Sequence, residues 1–322
     1  MAARDASAAT SLLQSARARW PDGYVALCVV AKDQHRDLRY WIAYHRWLGV
    51  DKFYVMDHNS SRPMLPVVMD LVRQGVVEYQ YFVGRPRRLP AFSDSNQWRG
   101  YHNCIAQHAS RHAWLGLLDA DEFVVFQPGA LAAGSGHNLP LLLARLEKKR
   151  VGALALNWVL FGSSGHKTRP QGGPLASYTA CIPASHPEST HVKVIAHTAS
   201  LLDMGGTPHE AQLRPGASVV DADGAPSSAP KSDAARWASV ALYHYVLKSR
   251  AEFADKMGRG SGAGNIKTWE YWDYVEPLAT GTCTHALDVS AAFLASKPRL
   301  RPPGRLGQWF LLLHVSCASR WT

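Results

Sequence analysis

An α/β fold, with a mostly parallel, Rossmann-like sheet and helices on both faces, is what this 322-residue chain predicts. Three observations predict it. Strand-like apolar runs alternate with helix-like segments from Tyr24 onward. One run, Trp114 to Leu118, has the length and character of a strand buried on both faces, as in a parallel sheet. Acidic residues follow several of these runs, where ligands of open α/β sheets bind, beyond the carboxyl ends of the strands.

Taken in order, Tyr24–Val30 reads as a buried strand ended by Lys32-Asp33-Gln34. Leu38, Trp41, Ile42, His45 and Leu48 recur at helical spacing, and Gly49 suits the C-terminal cap. Lys52–Met56 is a second strand, ending in Asp57-His58-Asn59-Ser60-Ser61. Residues 65–74 predict a helix closed by Gly75, and residues 76–83 a third strand. A polar-apolar helix over 97–112 leads into the Trp114 strand. Beyond Phe126 come a Gly/Ala-rich loop at 127–138, a helix at 139–149 and strands at 152–161, 192–197 and 241–247. Residues 221–236, rich in Ala, Ser, Pro and Asp, predict a mobile surface loop. Domain boundaries follow: a disordered leader at 1–22, one catalytic-sized domain at 23–290, and a tail at 291–322 with no assigned role.

The balance of 35 Lys and Arg against 25 Asp and Glu gives a net charge of +10, which suits an anionic partner. No dense basic block with interleaved aromatics is present, so nucleic acid is not the expected partner. No run of 18 apolar residues predicts a membrane-spanning helix, and Met1–Trp20 lacks the apolar core of a signal peptide. The five cysteines, Cys28, Cys104, Cys181, Cys283 and Cys317, form no CxxC pair, which argues against zinc. Their odd number leaves at least one thiol unpaired within the chain, and their spacing assigns no disulfide.

The chemistry concentrates at Asp119-Ala120-Asp121-Glu122. Carboxylates are rarely buried unless paired or bound to a cation. In extended chain Asp119 and Asp121 face the same way and Glu122 the other. Oxygen ligands of this kind favour Mg²⁺ or Mn²⁺, which bind through one or two carboxylates plus substrate phosphates. The plainer reading is an acidic turn after a strand. Asp33, Asp57 and the Asp119/Asp121 pair each follow a strand, so the fold should gather them on one edge.

An ordered set of segments resembles glycosyltransferase family 92. It runs Trp41-Ile-Ala-Tyr44-His45, Phe53-Tyr-Val-Met-Asp57-His58-Asn59-Ser60, Leu118-Asp119-Ala-Asp121-Glu122-Phe123, Asn157-Trp158-Val-Leu-Phe161-Gly-Ser-Ser-Gly-His166, His191-Val-Lys193, Pro208-His209 and His244-Tyr245-Val-Leu-Lys248. The resemblance spans roughly residues 24–285. It implies a glycosyltransferase-A fold, a UDP-sugar donor, a divalent metal (Mn²⁺ or Mg²⁺), inverting transfer of a hexose such as galactose to a glycan hydroxyl, and a Golgi setting. The chain departs from the family's Asn-Glu after the first strand, carrying Asp33-Gln34. Two other readings stay open: a metal-dependent phosphohydrolase, and a non-catalytic glycan-binding protein.

Residue roles follow from the resemblance. Asp33 and Asp57 would reach the nucleotide, with an Asx-type turn as the plain alternative for Asp57. Asp121 and His209 would bind metal, and Asp119 metal or ribose. Lys193, Lys248 and Arg259 would face the diphosphate. Trp158 and Phe161 would stack on sugar or else pack in the core. His166, Glu188 and His244 are the candidate bases. Glu122 is expected to be structural.

Overall fold

The computed structural model describes residues 11, 13–84, 92–129, 136–147, 149–263, 267–298 and 300. The start of the expected leader, the middle of the 127–138 loop, Gly264 and most of the C-terminal tail lie outside the described residues. The first half is the expected alternation. It runs β1 (Val25–Ala31), α1 (Leu38–Trp47), β2 (Lys52–His58), α2 (Leu65–Arg73), β3 (Val77–Phe82), α3 (Asn96–His108) and β4 (Trp114–Leu117). These strands pair in parallel in the order β3-β2-β1-β4.

Side chains alternate along each strand and so build two cores. From β1 and β2, Val25, Leu27, Val29, Phe53 and Val55 face one core, where α1 and α2 contribute Trp41, Ile42 and Val68. Ala26, Cys28, Tyr54 and Met56 face the other, against Tyr101, Cys104 and Ile105 of α3. Both faces are therefore covered, which is why these strands read as unbroken apolar runs. Gly49 (φ +93°) and Gly75 (φ +72°) end α1 and α2 in the left-handed conformation that favours glycine. Gly116 in β4 allows a close approach, since a Cβ there would stand 2.6 Å from Leu27 Cδ2.

The second half is mixed. Here β5 (Glu122–Phe126), α4 (Leu139–Glu147), β6 (Val151–Leu160), β7 (Ala180–Cys181), β8 (Val192–His197), β9 (Leu201–Met204), β10 (Ala211–Leu213), β11 (Ser218–Val220) and β12 (Val240–His244) follow in order. Then come α5 (Arg250–Arg259), α6 (Trp269–Val275), β13 (Gly281–Thr282) and α7 (His285–Ala295). The sheet continues β4-β8-β6-β12-β5. β8 runs antiparallel to both its neighbours, and β5 antiparallel to β12. β12 and β11 are parallel to β6. The chain thus passes within the short turn Leu118–Asp121 from β4 near the middle of the sheet order to β5 at its end, with β8, β6 and β12 between them in that order.

Disulfides join Cys28 of β1 to Cys104 of α3, and Cys181 of β7 to Cys283. Cys317 lies outside the described residues. Segment 221–236 is held by hydrogen bonds: Asn157 Nδ2 donates to Ser232 Oγ at 2.7 Å, and Arg236 pairs with Asp221 at 3.1 Å.

Candidate active site

A cleft of about 260 Å³ opens beyond the carboxyl ends of β1, β2 and β4. Its walls come from segments far apart in sequence, including Lys32, His58, Asp119–Asp121, Trp158, His209, His244 and the end of α5. The acidic motif is a turn, closed by the Glu122 N–H donating to the Asp119 carbonyl at 3.0 Å. The expectation that it is extended chain is therefore corrected, although Asp119 and Asp121 do line one cleft.

Each acid has its own partners. Asp119 accepts from Gln97 Nε2 at 2.7 Å, Tyr101 OH at 2.9 Å and Lys193 Nζ at 2.8 Å. Burial opposes its charge most strongly, but Lys193, by charge and hydrogen bond, and His244 act together against it and the carboxyl pKa is lowered. Asp121 pairs with Lys256 Nζ at 2.8 Å and lies 3.5 Å from His244 Nε2. Burial opposes its charge too, yet Lys256 and then His244 hold the carboxyl well below the usual range. Glu122, with no exposed side-chain surface, accepts from the Trp158 indole at 2.8 Å and from the Asp119 N–H at 2.8 Å. Burial pushes it up to about 8 even against Lys193, which stands 3.5 Å away and sits closer to Asp119. Glu122 holds the turn and β6 together.

The opposite wall is cationic. Ser249 and Glu252 form a reciprocal capping box that starts α5. Lys256 and Arg259, three apart, then share one face of its last turn. Lys267 lies just beyond, its ammonium 3.4 Å from the Tyr271 ring centroid. Among the described residues Arg259 and Lys267 have no carboxylate within ion-pair distance. Burial lowers both pKa values, that of Lys267 to about 8. Neither carries a compensating anion, so the wall is electropositive.

Three imidazoles surround the Trp158 indole: His244, His209 and His191, at centroid distances of 4.4, 4.6 and 5.3 Å. His209 Nδ1–H donates to the Val192 carbonyl at 3.0 Å, which leaves Nε2 bare in the neutral ring. Burial, followed by Lys193, lowers its pKa to about 3. Among the described residues the buried Nδ1 atoms of His58 and His244 have no hydrogen-bond partner. Such atoms point to a ligand, because an unpaired buried polar group is costly.

Several expected site residues stand elsewhere. Asp57 is fully buried and accepts from the backbone N–H groups of Ser60 at 3.1 Å and Met64 at 2.9 Å and from Tyr79 OH. It makes the Asx-type turn, because local donors consume its lone pairs. Asp33 accepts from the backbone and hydroxyl of Ser61, both at 2.8 Å. Lys193 is buried between Asp119 and Glu122, so it neutralises carboxylates and does not face the cleft. Lys248 is tied to Asp37 at 2.6 Å. Phe161 is a core residue, stacked on Tyr245 at 4.6 Å. His166 bonds the Ser177 carbonyl at 3.0 Å, and Glu188 pairs with His191 at 3.5 Å; neither lines the cleft. Of the candidate bases only His244 does. Arg259, Trp158, His209, Asp119 and Asp121 line it as expected. Lys256, Lys267, His58, Gln97 and Tyr271 line it without having been singled out, although Lys256 and Arg259 shared a readable helical spacing.

The profile of glycosyltransferase family 92 matches residues 24–196, more than half of the chain. The chain belongs to glycosyltransferase family 92. A family 92 protein of Oryza sativa subsp. japonica is 27% identical over 199 residues, covering 61% of this chain and 31% of that protein. One of Ricinus communis is 25% identical over 199 residues, covering 62% of this chain and 33% of the relative. The chain therefore spans about a third of the length of these family 92 relatives. Among solved structures, S. aureus TarS (residues 1–349) overlaps 70% of this chain and 61% of its own, at 12% identity and a TM-score of 0.34. That overlap is partial, and it carries no weight for the site. The observed sheet, parallel in its first half with helices on both faces, is the α/β architecture that the sequence predicts.

Proposed function

We propose that this family 92 chain binds a UDP-sugar in the cleft and transfers its hexose, galactose by family resemblance, to a glycan hydroxyl with inversion. The observation that carries the reading is the meeting within one cleft of a carboxylate turn after β4 with two cations, Arg259 at the end of α5 and Lys267 beyond it, that have no carboxylate in ion-pair range among the described residues. A nucleoside diphosphate supplies the anion those cations lack. His58, with its unpaired Nδ1, would take a hydrogen bond from the uridine. Lys256, Arg259 and Lys267 would hold the diphosphate and stabilise the charge that grows on it as the glycosidic bond breaks.

The residues present suit a divalent ion. Among the described residues no three Asp, Glu, His or Cys side chains converge as a ready cage. However, Mn²⁺ and Mg²⁺ commonly bind through one or two protein groups plus substrate phosphates. Asp121, with His209 through its bare Nε2, would hold the ion. The carbonyl behind His209 Nδ1 is the kind of partner that fixes a metal-binding imidazole. When bound, the ion supplies Lewis-acid stabilisation of the departing diphosphate. Asp119 is held by three donors and would orient the turn or meet the ribose. His244, kept neutral by burial, would take the proton from the acceptor hydroxyl.

Calorimetry with UDP in the presence of Mn²⁺ tests this reading. Micromolar binding is expected, weakened by EDTA, with EDTA-sensitive release of galactose from UDP-galactose. Absence of UDP binding, with glycan binding intact, would overturn it in favour of a non-catalytic lectin-like role.

A further inference from the structure

A second chamber of about 440 Å³ adjoins the cleft. The two share Gln34, Asp121, Val246, Lys256 and Arg259, so their contents would meet at Asp121. Nothing in the reading of the donor cleft uses the rest of this chamber. Its charges sort clearly. Asp37 is taken by Lys248 at 2.6 Å and by Arg169. Glu252 is taken by Arg169 at 3.0 Å, by Tyr178 at 2.7 Å and by Ser249 at 2.6 Å. Asp33 is taken by Ser61, and Asp121 by Lys256. His35 bonds the Arg62 carbonyl at 2.9 Å. Among the described residues Arg36, Arg62 and Arg259 are left with no carboxylate in ion-pair range, against two acids with no cation of their own, Asp33 and Asp255. Tyr245, fully buried, also lines the chamber, and its hydroxyl has no hydrogen-bond partner among the described residues. The chamber thus has a net excess of positive charge, with the guanidinium groups of Arg36 and Arg62 outside any ion pair among the described residues, beside an unsatisfied hydroxyl.

We propose that this chamber is the acceptor site and that it selects a glycan carrying an acidic sugar. The placement as acceptor site rests on the reading of the neighbouring cleft as the donor site; the charge selectivity rests on the chamber alone. Planar guanidinium forks match sugar carboxylate and sulfate alike. An acid bound by Arg36 and Arg62 would place a neighbouring hydroxyl towards Asp121, where the chambers join.

The test is calorimetry on the whole chain with tetragalacturonic acid, its methyl ester and a sulfated galactan oligomer, alongside a UDP titration. The expected result is binding of the acid at least about tenfold tighter than the uncharged ester. Preference between uronate and sulfate identifies which oxyanion is read. In an Arg36→Gln/Arg62→Gln double variant, acid binding should fall at least about tenfold with UDP affinity unchanged. Arg73→Gln, exposed at the end of α2, should leave both unchanged. Equal binding of acid and ester overturns the proposal, as does an equal loss in the Arg73 variant or no loss in the double variant. Loss of UDP binding in the unmodified chain would instead count against the donor reading, and it is read separately in the same experiment.

Discussion

Two strand-end acids, Asp57 in the last residues of β2 and Asp121 after β4, look alike in sequence and end differently. Each lies at the carboxyl end of a buried strand in the parallel part of the sheet. Asp57 turns inward, where the Ser60 and Met64 N–H groups and the Tyr79 hydroxyl saturate it. Asp121 sits where the chain leaves the sheet for its far edge, and its partners are side chains from α5 and β12. The local backbone feeds one carboxylate and leaves the other to the cleft. Position after a strand thus selects candidates, while the donors available within a few residues decide between structure and function.

The strongest way to break this comparison is to remove each charge in turn. Asp121→Asn should lower UDP-sugar turnover about a hundredfold or more, since each ~1.4 kcal/mol of transition-state stabilisation is tenfold. Its thermal midpoint should hold. Wild-type turnover in this variant would place the chemistry elsewhere.

Lys256→Met should weaken UDP binding by about tenfold to a hundredfold in calorimetry, through loss of a charge-assisted contact to the diphosphate. A fall in melting temperature with UDP affinity intact would instead make Lys256 only a partner of Asp121.

Asp57→Asn should do the reverse of Asp121→Asn. It loses charge-assisted hydrogen bonds to buried donors and should cost about 1–3 kcal/mol of stability, read as a lower melting midpoint. UDP affinity should be unchanged. A selective loss of UDP binding would restore Asp57 to the nucleotide site.

The smallest expected effect is a pH slope. His45 is fully buried, and burial lowers its pKa from 6.5 to about 3. Below pH 6.5 the unfolded chain takes up a proton that the folded chain refuses. Its contribution is therefore complete above 6.5 and is lost as pH falls towards 3, at up to about 1.4 kcal/mol per pH unit. Denaturant titrations between pH 6.5 and 5 should show a steeper decline for the wild type than for His45→Gln. Parallel slopes would mean that this imidazole protonates in place.

Much of the first half was legible because a sheet covered on both faces writes itself as apolar runs, and because Gly49 and Gly75 mark helix ends by a conformation that favours glycine. The place of the Asp119/Asp121 pair was legible for a similar reason, since acids beside a buried strand require partners, although its backbone is a turn and not the extended chain expected. The second half was not. β8 inserted antiparallel between β4 and β6, and β5 sent to the edge beside β12, are pairings between segments distant in sequence. Periodicity carries no information on which strands meet. The same limit hid the roles of Lys193 and Lys248. A lysine in sequence is only a charge, and tertiary structure alone brought Lys193 beneath Asp119, gave Lys248 to Asp37, and left Arg259 and Lys267 with no acid of their own among the described residues. Sequence by itself determined the strands of the first half, the family and the place of the acidic motif, because those depend on burial and local pattern. Which charges remain unpaired depends on what folding places within 4 Å, and only the tertiary structure decided that.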